Sequence, residues 1–170
     1  MWTARRILKD LADGDRRRRI LTAFWRFADD HTKAMAIVQL ARAMHFRDET
    51  IRKMPPEKKA ELLAGRAGAA EFEQAFENAL MLYHTHEQRP MLAAFLDQWG
   101  VPHKDGSIEA DDYTPPTAEA VRGAVAKLES QFDRIDIAIY LASAGLLMAG
   151  AWQEATWPVA DELASAPRQP

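Results

Sequence analysis

Cysteine is absent from this 170-residue chain, which excludes disulfide bonds, thiol nucleophiles and cysteine-ligated zinc. Four catalytic motifs are also missing: the Walker A loop, the Gly-x-Gly-x-x-Gly loop, the Gly-x-Ser-x-Gly elbow and the His-Glu-x-x-His zinc motif. No apolar run reaches the roughly 20 residues that a membrane-spanning helix needs, and no apolar stretch of a secretory signal follows the basic N-terminus. These absences predict a cytoplasmic protein without membrane contact. They favour a non-enzymatic protein with no catalytic residue, cofactor or metal.

The longest uncharged stretch runs from Ile137 to Trp152 and is apolar on every face in helical register. A helix of this kind must be buried on all sides. Sixteen residues make a helix of roughly 24 Å, so we predict a central core helix over 137–152. A stripe of small residues recurs along it at helical spacing: Ala138, Ala142, Gly145 and Ala149. Such a stripe predicts the close approach of another helix.

Helical periodicity also dominates the rest of the chain, and segment 69–88 has the clearest amphipathic pattern. The exception is the stretch 100–116, an irregular acidic loop with an Asp105-Gly106 turn signal. We therefore predict an all-α protein without significant sheet. About seven to nine helices should form an orthogonal or bundle-like array around helix 137–152.

The length of the chain is that of one domain. We predict a single helical domain over 1–164, with an N-terminal block (1–99) and a C-terminal block (117–164) joined by loop 100–116. Residues 165–170 are predicted to be a disordered tail.

Charge is distributed unevenly along the sequence. Through Arg66 there are 16 basic and 9 acidic residues, and from Ala67 onward 6 basic and 16 acidic residues. The halves therefore carry about +7 and −10, which favours attraction between them, within one chain or between copies. A basic face for nucleic acid is the alternative interpretation.

Five tryptophans suggest where a contact could form. Trp152 and Trp157 lie near the end of the apolar helix, and tryptophan is over-represented among the residues that dominate binding energy. We predict them as interface anchors, with core packing as the alternative. The leading functional prediction is a protein that acts through protein–protein contacts, with itself as a dimer or with another protein.

The segment 37–54 supports a second prediction. Six of its residues occupy the apolar and small positions of a known motif: Leu40, Ala41, Met44, Phe46, Ile51 and Met54. The segment resembles the DNA-binding helix-turn-helix, with His45 at the turn position where glycine is usual. This resemblance implies a transcriptional regulator whose DNA contacts are Arg47, Thr50, Arg52 and Lys53.

The tightest histidine cluster is His84-Thr85-His86, followed by Glu87. His84 and Glu87 share a helix face, so a metal-dependent enzyme at this position is a third hypothesis. Residues two apart point about 200° from one another on a helix, so His84 and His86 can bind one metal only if the helix unwinds before Pro90. We expect His84 at the helix edge and His86 near the core.

Overall fold

A computed structural model describes residues 1–109 and 113–165. Within these ranges the chain forms ten α-helices, one short ribbon and two irregular helical turns, so the all-α fold is confirmed. The helices are α1 (Ala4–Arg6), α2 (Gly14–Phe27), α3 (Asp30–Met44), α4 (Asp48–Arg52), α5 (Pro56–Ala64), α6 (Glu73–Glu87), α7 (Arg89–Trp99), α8 (Ala118–Leu128), α9 (Arg134–Met148) and α10 (Gly150–Ser165). The irregular turns are a π-helical turn, Ile7–Leu11, and a 3-10 turn, Ala70–Phe72. The predicted tail lies outside the described residues from 166 onward.

The described helices divide between two compact units. The N-terminal unit is Thr3–Glu87 and contains α1 to α6, whereas the C-terminal unit begins at Gln88, takes in Met1 and Trp2, and contains α7 to α10. In sequence, residues 3–87 carry 16 basic and 13 acidic residues, a net charge of +3. Residues 88–170 carry 6 basic and 12 acidic residues, a net charge of −6. The single domain predicted from the sequence stays a prediction.

Helix α2 is the centre of the N-terminal unit and packs against α5 and α6. Asp13 starts it, because the Asp13 side chain accepts a hydrogen bond from the backbone N–H of Arg16 at 2.8 Å. Its buried face consists of Ile20, Leu21, Ala23, Phe24 and Trp25. The three-residue α1 accounts for the excess over the predicted number of helices, and the π-helical turn after it buries Ile7, Leu8 and Leu11.

Helix α9 corrects the predicted core helix 137–152. It runs from Arg134 to Met148 and is followed by Ala149 at φ 54° and ψ −170°, a conformation that alanine seldom adopts. The chain reverses here because α10 packs back along α9, and the uniformly apolar sequence contains no polar residue to mark the turn. Helix α10 contains Pro158 in its interior.

Burial along α9 is also uneven. Every residue from Ile137 to Ser143 is buried, but Leu147 and Met148 are exposed. The inference of burial on all sides is therefore correct only for the first half of this helix.

The small-residue stripe of α9 is covered by α10. A Cβ on Gly145 would lie 2.5 Å from Trp157 Cδ1 and 2.6 Å from Thr156 Oγ1. The indole N–H of Trp157 donates to the carbonyl of Ala142 at 3.2 Å. The close helix approach expected from the stripe thus occurs within the chain.

The loop after α7 forms an antiparallel ribbon between strands β1 (His103–Lys104) and β2 (Ser107–Ile108). Asp105 and Gly106 form its turn, both at positive φ, as the Asp-Gly signal predicts. Gly106 is also required for space, since a Cβ there would lie 2.8 Å from Leu92 Cβ. No helix within 1–109 and 113–165 combines the length and the hydropathy needed to cross a membrane.

The substitution Gly145→Ala tests the packing of α9 on α10. We expect it to lower the free energy of unfolding by about 1–3 kcal/mol, because the added methyl group overlaps Trp157 and Thr156. Gly123→Ala on α8 is the matched control, since nothing lies within 4 Å of the position that its methyl group would take, and it should raise stability by about 1 kcal/mol through helix propensity. Urea unfolding followed by circular dichroism measures both. Equal stability of Gly145→Ala and the wild type would contradict this packing.

Candidate functional site

The segment that resembles a helix-turn-helix forms two helices joined by a tight turn. His45 adopts the left-handed conformation, with φ 55° and ψ 36°. The N–H of Phe46 donates to the carbonyl of Ala41 at 2.9 Å, and the N–H of His45 donates to the carbonyl of Arg42 at 3.3 Å. This pattern is a Schellman motif, in which glycine is the usual left-handed residue. His45 therefore adopts the glycine-type conformation at a steric cost of about 1–2 kcal/mol.

The second helix of this segment, α4, has five residues and is therefore only about 7.5 Å long. The contact residues predicted from the sequence, Arg47, Thr50, Arg52 and Lys53, are all exposed. Lys53 pairs with Glu49 at 2.7 Å. Ile51 is the buried residue of α4, whereas Phe46, at an expected apolar position, remains 44% exposed.

One face of α3 exposes apolar side chains. Met35 is 53% exposed and Val38 is 38% exposed, while Ile37 and Leu40 are buried on the opposite face. His31 and Arg42 extend the exposed face at both ends, in the helical register i, i+4, i+7, i+11. We name the four residues His31, Met35, Val38 and Arg42 the α3 stripe. It was not predicted from the sequence because apolar residues on both faces weaken the amphipathic pattern.

The C-terminal unit has a second exposed apolar surface. Residues Leu147–Ala151 are exposed without interruption and contain no polar side chain. Leu147 is 40% exposed and Met148 is 45% exposed. We name this segment the α9–α10 corner.

The arginine run at the start of α2 is largely engaged within the N-terminal unit. Three of its guanidinium groups have local partners: Arg16 with Asp13 at 2.5 Å, Arg17 with the Leu8 carbonyl at 2.7 Å, and Arg18 with Asp15. Arg17 also donates to the Ala12 carbonyl at 3.0 Å, so it closes the preceding turn. These bonds offset the unfavourable position of four cations at a helix N-terminus.

A polar groove of about 680 Å³ lies between α2 and α5. It is lined by Asp15, Arg18, Arg19, Thr22, Arg26, Glu57, Glu61 and Glu87. Most of these charges are paired: Arg26 contacts Glu57 at 2.9 Å, and Lys58 at the rim contacts Glu61 at 2.9 Å. Paired charges of both signs leave the groove little selectivity for ligand charge.

The end of α2 carries a different arrangement of charge. Lys59 Nζ lies over the ring of Trp25, 5.1 Å from its centroid, which is cation–π geometry. Lys33 Nζ donates to the carbonyl of Arg26 at 3.4 Å. Burial, followed by the charges of Lys33 and Arg52, lowers the pKa of Lys59. Of these cations only Arg52 was predicted from the sequence as a contact residue, because the convergence of the three side chains depends on how their helices pack.

The two histidines of α6 have environments opposite to those expected. His84 is 4% exposed, and its ring contacts that of Tyr83 with centroids 5.5 Å apart. His86 is exposed and stacks on Phe27 at 4.3 Å. Within the described part of the chain, no three histidine, aspartate or glutamate side chains are grouped as metal ligands would be. The hypothesis of a metal-dependent enzyme at His84 and Glu87 therefore gains no support.

The predicted interface residues pack within the C-terminal unit. Trp152 is buried and contacts Trp99 and Tyr113, with ring centroids 5.5 and 6.1 Å away. Trp157 is half-buried against Gly145. Their role as interface anchors stays a prediction.

Comparison with protein families, with characterised proteins and with solved structures finds no match to this chain. A function must therefore be inferred from the surfaces and charges described above.

Acidification tests the environment of His84. Burial lowers its pKa to about 3, whereas an unfolded histidine has a pKa of about 6.5. Between these values only the unfolded state gains a proton, so the free energy of unfolding should fall by about 1.4 kcal/mol per pH unit as the pH decreases. Above about pH 6.5 this effect is absent.

The comparison of wild type with His84→Gln isolates the contribution of His84 to the pH dependence of stability. As the pH falls below about 6, the free energy of unfolding of the wild type should fall steadily relative to that of the variant. Denaturant unfolding of both proteins at each pH measures this difference. Met81→Gln, at an exposed residue of the same helix that does not titrate, is the control and should follow the wild-type profile. Parallel profiles of His84→Gln and wild type would contradict a buried neutral imidazole.

Proposed function

We propose that this protein is a non-enzymatic interaction module that self-associates through the α3 stripe. The observation that carries the proposal is the adjacent exposure of Met35 and Val38 on a helix whose other face is already buried. Single exposed apolar residues are common on protein surfaces, but neighbours on one helix face form a contact surface.

We propose that the α3 stripe binds the α9–α10 corner of a second copy of the chain. The corner offers Leu147 and Met148 as apolar partners for Met35 and Val38. The stripe belongs to a unit of net charge +3 and ends in Arg42, whereas the corner belongs to a unit of net charge −6 and precedes Glu154. Apolar side chains in surroundings of opposite charge favour association between these two surfaces.

The contact is small. A stable interface buries about 800 Å² on each partner, and a few side chains provide a fraction of this. We therefore expect reversible association in the micromolar range that weakens as salt screens the opposed charges.

Charged substitutions in either surface test the self-association. Sedimentation velocity from about 1 to 200 μM should give a mass above the 19.2 kDa monomer at the upper end of this range, as expected for micromolar affinity. Met35→Glu and Leu147→Glu should each weaken association by about tenfold or more, because each buries an unpaired charge. Met81→Glu is the matched control, at a methionine that is 42% exposed on α6. A monomer throughout the range, or equal weakening by Met81→Glu, would reject the proposal.

Mixing the two variants gives a sharper result. Met35→Glu keeps an intact corner and Leu147→Glu keeps an intact stripe, so the mixture should associate through one wild-type contact, more tightly than either variant alone. A contact between two stripes would not be restored in this way.

We propose duplex DNA binding through 37–54 as a second candidate function. It is supported by the left-handed turn at His45 and by the exposed side chains of Arg47, Thr50, Arg52 and Lys53. These residues belong to the unit with positive net charge.

Fluorescence anisotropy of a labelled duplex tests this second function. Binding is expected with a dissociation constant of roughly 1–100 μM and should weaken steeply with salt. Arg52→Ala and Lys53→Ala should reduce affinity without changing helicity, whereas Lys127→Ala in the acidic unit should have no effect. Absence of binding at low salt would exclude this function.

A further inference from the structure

Three cationic side chains from three different helices come together beside the end of α2. Lys33 belongs to α3, Arg52 to α4 and Lys59 to α5. We name these three residues the cationic cluster. All of them belong to the N-terminal unit, and neither proposed function requires their convergence.

Two of the three positions are fixed by direct contacts. The Lys59 ammonium lies 5.1 Å from the centroid of Trp25, a buried ring. The Lys33 ammonium lies 3.4 Å from the carbonyl oxygen of Arg26, the next residue along α2. These contacts hold both ammonium groups around one turn of α2. Arg52 is near enough for its charge to affect Lys59.

Nearby carboxylates are engaged with other groups. Glu57 contacts Arg26 at 2.9 Å, and Glu49 contacts Lys53 at 2.7 Å. Asp29 caps α3 through Thr32. In the ranges that the structure describes, no carboxylate is within ion-pair distance of Lys33, Arg52 or Lys59.

This arrangement is unfavourable without a counter-ion. Lys59 is only partly exposed, so its charge loses part of its hydration, and the two neighbouring cations repel it. An anion bound among the three groups would replace the lost hydration and reverse the repulsion.

We propose that the cationic cluster is a binding site for a phosphate group. Its three positive charges match a dianion better than a single carboxylate. The guanidinium of Arg52 can engage two phosphate oxygens in parallel, while each lysine contributes a point charge to another oxygen. The ligand class is therefore a phosphate monoester or inorganic phosphate, or the phosphate of a nucleic-acid backbone.

Competitive acetylation of lysines, read by mass spectrometry on the full chain, tests the site directly. Inorganic phosphate at a concentration a few times its dissociation constant should slow acetylation of Lys33 and Lys59 by about threefold or more. Lys58 and Lys53 are internal controls, because each is adjacent in sequence to a cluster residue and already paired with a glutamate. Their rates should match those in sodium chloride of equal ionic strength. Unchanged rates at Lys59, or equal slowing at all four lysines, would overturn the proposal.

A variant that alters no lysine separates binding from local structure. Arg52→Gln removes one cation from an exposed position, so the fold should persist and the phosphate protection of Lys59 should fall by about threefold or more. Lys58→Gln, next to Lys59 in the chain and at a lysine paired with Glu61, should retain full protection. Full protection in Arg52→Gln would overturn the assignment of Arg52 to the site.

The source of the phosphate is distinguished by a second probe. A short DNA duplex that protects Lys59 at concentrations far below those needed for inorganic phosphate would identify a nucleic-acid backbone as the ligand. Protection by inorganic phosphate without protection by the duplex would identify a small phosphate ligand. Failure of both probes would overturn the proposal whether or not the protein self-associates.

Discussion

The close contact of Gly145 with Trp157 is the constraint on which the C-terminal unit depends. Because Gly145 lacks a side chain, the indole ring lies directly on α9 and reaches the Ala142 carbonyl. Helix α10 must therefore run back along α9, and the chain reverses through the strained backbone of Ala149. This reversal leaves the apolar segment Leu147–Ala151 at the surface. One packing contact thus creates the surface that we propose for association.

In the N-terminal unit, the availability of a cation for ligand binding depends on whether it has a partner within the chain, more than on how many cations lie nearby. The arginines at the start of α2 close turns and pair with neighbouring aspartates, so the most basic stretch of the sequence is largely satisfied locally. Lys33, Arg52 and Lys59 come from three different helices and have no carboxylate partner among the residues that the structure describes. These three cations, near the opposite end of α2, form the proposed phosphate site.

Much of the local structure follows from the sequence because it depends on neighbouring residues. Asp105-Gly106 forms the expected turn, and the Asp13 side chain begins α2 by accepting a hydrogen bond from the backbone N–H of Arg16. The predictions for His84 and His86 were wrong, since spacing along a helix separates their directions without indicating which one faces the core. The α3 stripe was missed for a related reason: Met35 and Val38 resemble buried residues until the neighbours of α3 are known.

The sequence by itself determined the helical class, the absence of thiol chemistry and the position of the Asp105-Gly106 turn, because composition, periodicity and turn residues act over a few positions. The tertiary structure alone decided that the apolar segment 137–152 breaks after Met148, that Trp157 covers the small-residue stripe, and that Lys33 and Lys59 lie around the same turn of α2. These features depend on contacts between residues that are distant in the chain. The hydrophobic effect has no preferred direction, so an apolar pattern in the sequence does not indicate which distant residues will pack together.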